Sequence, residues 1–74
     1  MNLHECKEKA KSIGFDSAVF DIAGADGKKS AKWFDAYFGM FQVDGTDEFL
    51  MANRETQAMF DALGLSCENL RVSP

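Results

Sequence analysis

Apolar residues recur at helical spacing at both ends of the chain, and period-two stretches lie between them. The first helical set contains Leu3, Cys6, Ala10 and Ile13. Positions three or four apart share one face of a helix. Asn2 precedes this set as a cap, and Glu5 stands at the reciprocal capping position. Gly14 is expected to end the helix, with Phe15 folding back on its last turn.

A second amphipathic helix is predicted after Asn53, which can cap it. Its expected inner face contains Thr56, Met59, Phe60 and Leu63. Gly64 followed by Leu65 repeats the ending of the first helix. The stretch "SCENLRVSP" is interpreted as a tail, with Leu70 or Val72 packed against the body.

Two Asp-Gly pairs, Asp26-Gly27 and Asp44-Gly45, divide the middle of the chain. Asp-Gly is a strong hairpin signal because both central residues of a type I′ turn need positive φ. The expected partners across the two turns are Asp21 with Lys32, Phe20 with Trp33, Ile22 with Ala31, Met40 with Phe49, and Phe38 with Met51. These partners predict a meander of three strands, at about 17–25, 28–43 and 46–52.

A helix over residues 30–42 is the alternative, since Lys32, Asp35, Gly39 and Gln42 also recur at helical spacing. Gly39 in the interior and the density of aromatic residues favour the strand. Trp33 and Phe38 are both expected inside, but they are five positions apart, and a regular strand would place them on opposite faces. The strand therefore requires a bulge near 35–37.

The predicted fold is therefore α+β, in the order helix, three-stranded antiparallel meander, helix (α-β-β-β-α), with both helices on one face of the sheet. Residues 1–66 form one domain and residues 67–74 a tail. The expected core contains Phe20, Trp33, Phe38, Met40, Phe49, Met51 and Phe60. The opposite face is then a candidate partner-binding surface, made of Val19, Phe34, Phe41, Val43 and Leu50 and edged by Asp44, Asp47 and Glu48.

Length and composition narrow the class of protein. The chain has 74 residues, of which 46% are hydrophobic and 27% charged, as in one small folded domain. It shows no apolar run of membrane-spanning length and no signal segment, so a cytoplasmic location is expected. Cys6 and Cys67 are far apart in sequence and form no CxxC pair, which favours reduced thiols.

Charge is distributed unevenly along the chain. Through Trp33, six lysines oppose five acids, a net charge of +1, whereas from Phe34 onward two arginines oppose seven acids, a net charge of −5. The total of −4 argues against general affinity for phosphate backbones and suits a basic protein partner.

The predicted order of helices and strands resembles the double-stranded-RNA-binding domain in topology and length. That family grips phosphates with lysines that open its second helix, whereas the matching stretch here, "ANRETQ", offers only Arg54. The stretch "YFGMFQV" is similar to the aromatic strand of RNA-recognition motifs, but it lacks the leading basic residue and precedes the acidic "DGTDE". No nucleic-acid-binding residue is carried over from either family.

Enzymatic chemistry finds little support in the sequence. His4 is the single histidine, and it stands two positions from Cys6, where the two side chains diverge on a helix. A zinc site made of His4, Cys6 and Cys67 would lack a ligand. "DIAGADGKKS" matches neither a phosphate-binding loop nor a calcium loop. We expect no catalytic residues, no metal and no cofactor.

The expected function is that of a small acidic, non-enzymatic protein-interaction module, a regulator or inhibitor. In length and acidity it resembles the small inhibitors encoded by phages and other mobile elements, many of which occupy basic nucleic-acid-binding surfaces. The expected partner is a protein, with a homodimer as an alternative and no membrane or direct nucleic-acid contact. The competing function is a small nucleic-acid-binding domain that uses the lysines of the first half.

Overall fold

The computed structural model of the protein describes residues 1–14 and 18–73. They form two helices and a five-stranded antiparallel sheet, so the predicted α+β class is confirmed. The helices and strands, in chain order, are α1 Leu3–Ile13, β1 Ala18–Gly24, β2 Gly27–Asp35, β3 Met40–Val43, β4 Phe49–Met51, α2 Arg54–Leu63 and β5 Ser66–Val72. The strands lie side by side in the order β4-β3-β2-β1-β5. The predicted three-stranded meander is therefore wrong in its number of strands.

Both helices begin where their capping residues indicate. The Asn2 side chain accepts a hydrogen bond from the Glu5 N–H at 2.8 Å, and the Glu5 carboxylate accepts one from the Asn2 N–H at 3.2 Å. The Asn53 side chain accepts a hydrogen bond from the Thr56 N–H at 2.9 Å. α1 ends at Gly14 as predicted, whereas the expected role of Phe15 lies outside the described residues.

The β1–β2 hairpin turns at Ala25 and Asp26, and its register differs by two residues from the predicted one. Phe20 lies opposite Ala31, and Asp21 lies opposite Ser30 instead of Lys32. Asn69 is the one described residue other than glycine with positive φ, so the turn is not type I′. Gly27 takes the positive φ of 107° instead. A shift of two positions keeps every side chain on its predicted face.

The aromatic stretch 33–41 is neither one strand nor a helix, because a turn divides it into two paired strands. The Asp35 side chain accepts hydrogen bonds from the N–H groups of Tyr37 at 3.0 Å and Phe38 at 3.3 Å. Gly39 completes the turn with φ of 78°. Trp33 consequently pairs with Phe41 across the β2–β3 ladder. The register shifts between Trp33 and Asp35, slightly earlier than the predicted bulge.

Residues Ser66–Val72, predicted to belong to a tail, form β5 and pair with β1. The Arg71 guanidinium contacts the Asp21 carboxylate at 3.2 Å, and the Asn69 side-chain amide donates to the same carboxylate at 3.0 Å. These contacts join positions nearly fifty apart in sequence, which local patterning cannot reveal. The segment Ser66–Val72 thus forms one edge strand of the sheet.

One apolar core lies between the helices and one face of the sheet. Its largest side chains form an aromatic cluster whose ring centroids are 5.2 Å apart for Phe20 and Trp33, 5.3 Å for Trp33 and Phe41, and 6.2 Å for Phe41 and Phe60. The smaller members include Leu3, Cys6 and Ala10 of α1 and Ala18, Ile22, Ala31 and Cys67 of the sheet. Residues of both helices thus join a single buried cluster, and the other face of the sheet has neither helix over it.

Four residues of the predicted core lie elsewhere. Phe38, Phe49 and Met51 are exposed, and Met40 is half-buried on the face away from the helices. The reason is the turn at 36–39, which reverses the chain and changes the parity of β3 and β4. A change of one position in register sends every side chain of a strand to the other face.

Candidate protein-binding face

The face of the sheet away from the helices carries an apolar cluster at its β4 end. Phe34 is 52% exposed and Phe49 is 49% exposed, and their rings meet edge to face with centroids 4.7 Å apart. Met40 lies opposite Met51 in the β3–β4 ladder, on the same face as Phe49. These four residues, Phe34, Met40, Phe49 and Met51, are called the outer patch below.

The other half of the same face is charged and internally paired. Lys28 contacts Glu68 at 2.6 Å. The hydrogen bond to Glu68 raises the pKa of Lys28. Arg71 and Asn69 both donate hydrogen bonds to Asp21. The bond from Asn69 lowers the pKa of the Asp21 carboxyl most, and the bond from Arg71 lowers it further. This half therefore carries two ion pairs and one exposed lysine, Lys32, which lies opposite Val19, whereas the outer patch offers apolar surface.

The lowered pKa of Asp21 predicts a contribution to acid stability. A carboxyl whose folded pKa lies below its unfolded value stabilises the fold above the unfolded pKa, and this stabilisation is lost as pH falls through the folded pKa. Asp21→Asn should therefore flatten the fall in melting temperature below about pH 4. Melts of this variant between neutral and acidic pH check the prediction, with Asp44→Asn, an exposed acid, as the control. An unchanged acid slope in Asp21→Asn would contradict it.

An acidic loop joins β3 to β4 beside the outer patch. Asp44, Asp47 and Glu48 are all exposed, and none forms an ion pair with another described residue. The loop is held by Thr46, whose N–H and hydroxyl both donate to the Val43 carbonyl, at 3.1 and 2.9 Å. Three carboxylates without an ion-pair partner among the described residues give this loop a negative charge.

The structure distributes the predicted partner-binding residues over two faces. Val19 and Phe34 lie on the outer face, and the three acids lie in the exposed loop as expected. Phe41 is 0% exposed in the core, and Val43 and Leu50 pack against that core from the helix side. The placement of Phe41, Val43 and Leu50 on the outer face is thus wrong, because the turn at 36–39 reverses parity.

Sequence reasoning missed Met40, Phe49 and Met51 as members of the exposed face. Two local signals could have found them. Asp35 can accept hydrogen bonds from the following N–H groups, and Gly39 can supply the positive φ that completes a turn. Reading those two residues as a turn would have placed Trp33 opposite Phe41 and turned Met40 outward.

Comparison of the chain with protein-family models, with curated proteins and with solved structures finds no match. Within residues 1–14 and 18–73, no helix has both the length and the apolar character needed to cross a membrane. The same residues hold no group of three or more histidine, cysteine or acidic side chains arranged to bind a metal ion.

Cys6 and Cys67 meet in the core, although they are 61 positions apart in sequence. Both thiols are free and buried, and each influences the pKa of the other. The Cys67 thiol lowers the pKa of Cys6, whereas the Cys6 thiol together with burial raises the pKa of Cys67. Trp33 Nε1 is also buried and finds no geometrically sound hydrogen-bond partner among the described residues. Cys6 and Cys67 thus connect α1 to β5, and no histidine lies with them in the core cluster.

Proposed function

We propose that this chain is a small non-enzymatic protein-binding module, a regulator or inhibitor that docks its partner on the outer patch. The observation that carries the proposal is the contact between Phe34 and Phe49, two half-exposed rings on a sheet face that neither helix covers. Contiguous apolar surface of this kind is uncommon on monomers and is typical of contact sites.

The composition of the outer patch suits a contact centre. Aromatic and methionine side chains are enriched in interface cores, and methionine adapts its shape to different partners. Phe34 and Phe49 also hold each other edge to face at 4.7 Å, so ordering them on binding costs little conformational entropy. Preformed anchors of this kind carry most of the affinity in known interfaces.

Charge indicates the chemistry of the partner. The exposed carboxylates of Asp44, Asp47 and Glu48 lie beside the outer patch, and the half of the chain from Phe34 onward carries a net charge of −5 from two arginines and seven acids. An acidic edge next to an apolar centre steers a basic partner toward the contact and speeds association. We therefore propose a basic protein surface as the partner, and nucleic-acid-binding surfaces belong to this class.

The experiment compares two exposed aromatic sites. The double variant Phe34→Ser, Phe49→Ser should no longer capture the protein that the unaltered chain captures from extracts of the native source. Its affinity for that partner, once purified, should be at least about tenfold lower. Phe38→Ser is the matched control, because Phe38 is 66% exposed but its ring contacts Tyr37 in the turn before β3. Melting temperatures of all three proteins should be similar, which separates loss of binding from loss of fold.

Two results would overturn the proposed function. One is a partner that binds the Phe34 and Phe49 double variant as tightly as the unaltered chain. The other is salt-sensitive binding of DNA or RNA at low micromolar protein, lost on replacing Lys28, Lys29 and Lys32. The second result would support the nucleic-acid-binding alternative, whereas we expect no nucleic-acid affinity tighter than roughly 100 μM at physiological salt.

A further inference from the structure

The two edges of the sheet are protected to different degrees. Beyond β5, the first residue of the chain occupies the edge: the Cys67 N–H donates to the Met1 carbonyl at 3.1 Å, and the Met1 amino group donates to the Cys67 carbonyl at 2.9 Å. β5 also contains Asn69 with φ of 55°, and its pairing with β1 shifts register there. Bulges and covered edges of this kind prevent pairing with another chain.

The β4 edge lacks these protections. Its three residues, Phe49–Met51, contain no proline or charged residue, and its register with β3 is regular. No strand of the described residues pairs beyond it. The shortness of β4 is the one such device at this edge, and in its other features β4 is an exposed apolar edge strand, which is a template for an incoming strand.

The hydrogen bonds of β3 show which main-chain groups of β4 point outward. The Ala52 N–H donates to the Gly39 carbonyl at 2.6 Å, so residue 52 faces β3. Antiparallel ladders alternate, which turns the main chain of Leu50 toward β3 and that of Phe49 and Met51 toward the free edge. The Met51 carbonyl accepts a hydrogen bond from the Asn53 N–H at 2.9 Å, whereas no described residue bonds the Met51 N–H or either polar main-chain group of Phe49.

We propose that the partner binds by strand addition: an extended basic segment pairs with β4 and continues the sheet. This inference rests on the proposed function and specifies how that site is used. The side chains of Phe49 and Met51 lie on the outer face, so apolar residues at alternate positions of the added segment extend the outer patch. Basic residues of the same segment meet Asp47 and Glu48, the acids that immediately precede β4.

Strand addition to β4 requires both components of the site. A strand of three residues offers few main-chain hydrogen bonds, so the ladder sets orientation and register while the outer patch supplies affinity. A segment with the wrong alternation would direct its apolar side chains toward the helix side, where Leu50 already packs against the core. The site should therefore select sequences that alternate basic and apolar residues.

The test uses amide hydrogen exchange of the full chain with a synthetic peptide that alternates lysine and valine. On saturation, exchange of the Phe49 and Met51 amides should slow at least about tenfold, whereas the Leu50 amide, already bonded to β3, serves as the internal reference. A peptide of the same composition with its lysines and valines in two blocks should bind at least about tenfold more weakly. Methylation of alternate peptide nitrogens should have a comparable effect, because it removes donors and keeps the side chains.

The failures of the two proposals are distinguishable. If peptide binding is lost in the Phe34 and Phe49 double variant, yet exchange at residues 49 and 51 is unchanged and the methylated peptide binds equally well, strand addition is wrong and the outer patch remains the site. Absence of any peptide binding at millimolar concentration also overturns strand addition. Protection of the two amides that grows with protein concentration and needs no peptide would assign the edge to a second copy of the chain, against the proposed occupant.

Discussion

Phe41→Ala is expected to unfold most of the protein at ordinary temperature. The Phe41 ring is 0% exposed and packs against Phe20, Trp33 and Phe60, with ring centroids 5.3 to 6.2 Å away. Removing a buried phenylalanine costs about 3–5 kcal/mol, through lost transfer free energy and the cavity left behind. A domain of this size has a total stability of roughly the same magnitude.

Phe34→Ala provides the matched comparison, since Phe34 stands in the same aromatic stretch with half of its side chain in solvent. We expect its free energy of unfolding to fall by about 1 kcal/mol or less. Thermal and denaturant melts, followed by far-ultraviolet circular dichroism and by the fluorescence of Trp33, measure both variants. Equal destabilisation of the two variants would contradict the assignment of Phe41 to the core and Phe34 to the outer face.

Oxidation of the native protein is expected to join Cys6 to Cys67 within one chain. The two free thiols belong to the same buried cluster, and Cys6 is the more acidic of the two because the Cys67 thiol lowers its pKa. An azo oxidant such as diamide removes the two thiol hydrogens, becomes a hydrazine and leaves a sulfur–sulfur bond. Such a bond closes a loop of about 60 residues, for which the chain-entropy model gives up to about 4 kcal/mol of stabilisation, less any strain.

Mass spectrometry checks this second prediction through the loss of two hydrogens, and denaturant melts with and without a reductant measure the stabilisation. Cys67→Ala is the control, since it keeps Cys6 and removes its partner. Both residues are buried, so the reaction should be slow and should accelerate under conditions that loosen α1. Two thiols that stay free in the oxidised native protein, or disulfides that form only between chains, would contradict the prediction.

Both helices could be predicted from the sequence because the interactions that define them are local. The reciprocal hydrogen bonds of Asn2 and Glu5 span three positions, and so does the bond from the Thr56 N–H to Asn53. The inner face of α1 was predicted correctly except for Ile13, which is exposed, whereas half of the predicted α2 face is wrong, since Met59 and Leu63 are exposed. A short helix at the margin of a small core presents few residues to it, and periodicity alone cannot count them.

The strands show how a small local error changes a whole face. The Asp-Gly signals located both predicted turns to within a residue, and the resulting shift of two positions in the β1–β2 register left every side chain on its face. The turn at 36–39 was not predicted, because five aromatic residues in the nine positions 33–41 favour a continuous strand. Without that turn, the parity of β3 and β4 is inverted, and the predicted core and the predicted contact surface exchange members.

The α+β class, the capped ends of the helices and the acidic loop can be predicted from the sequence, because each depends on residues a few positions apart or on composition. Long-range contacts, in contrast, place Ser66–Val72 at one edge of the sheet, cover that edge with Met1 and bring Cys6 to Cys67. These contacts join the two ends of the chain. Their free energy comes from burying surfaces that are far apart in sequence, and no local pattern encodes which distant surface a strand will find.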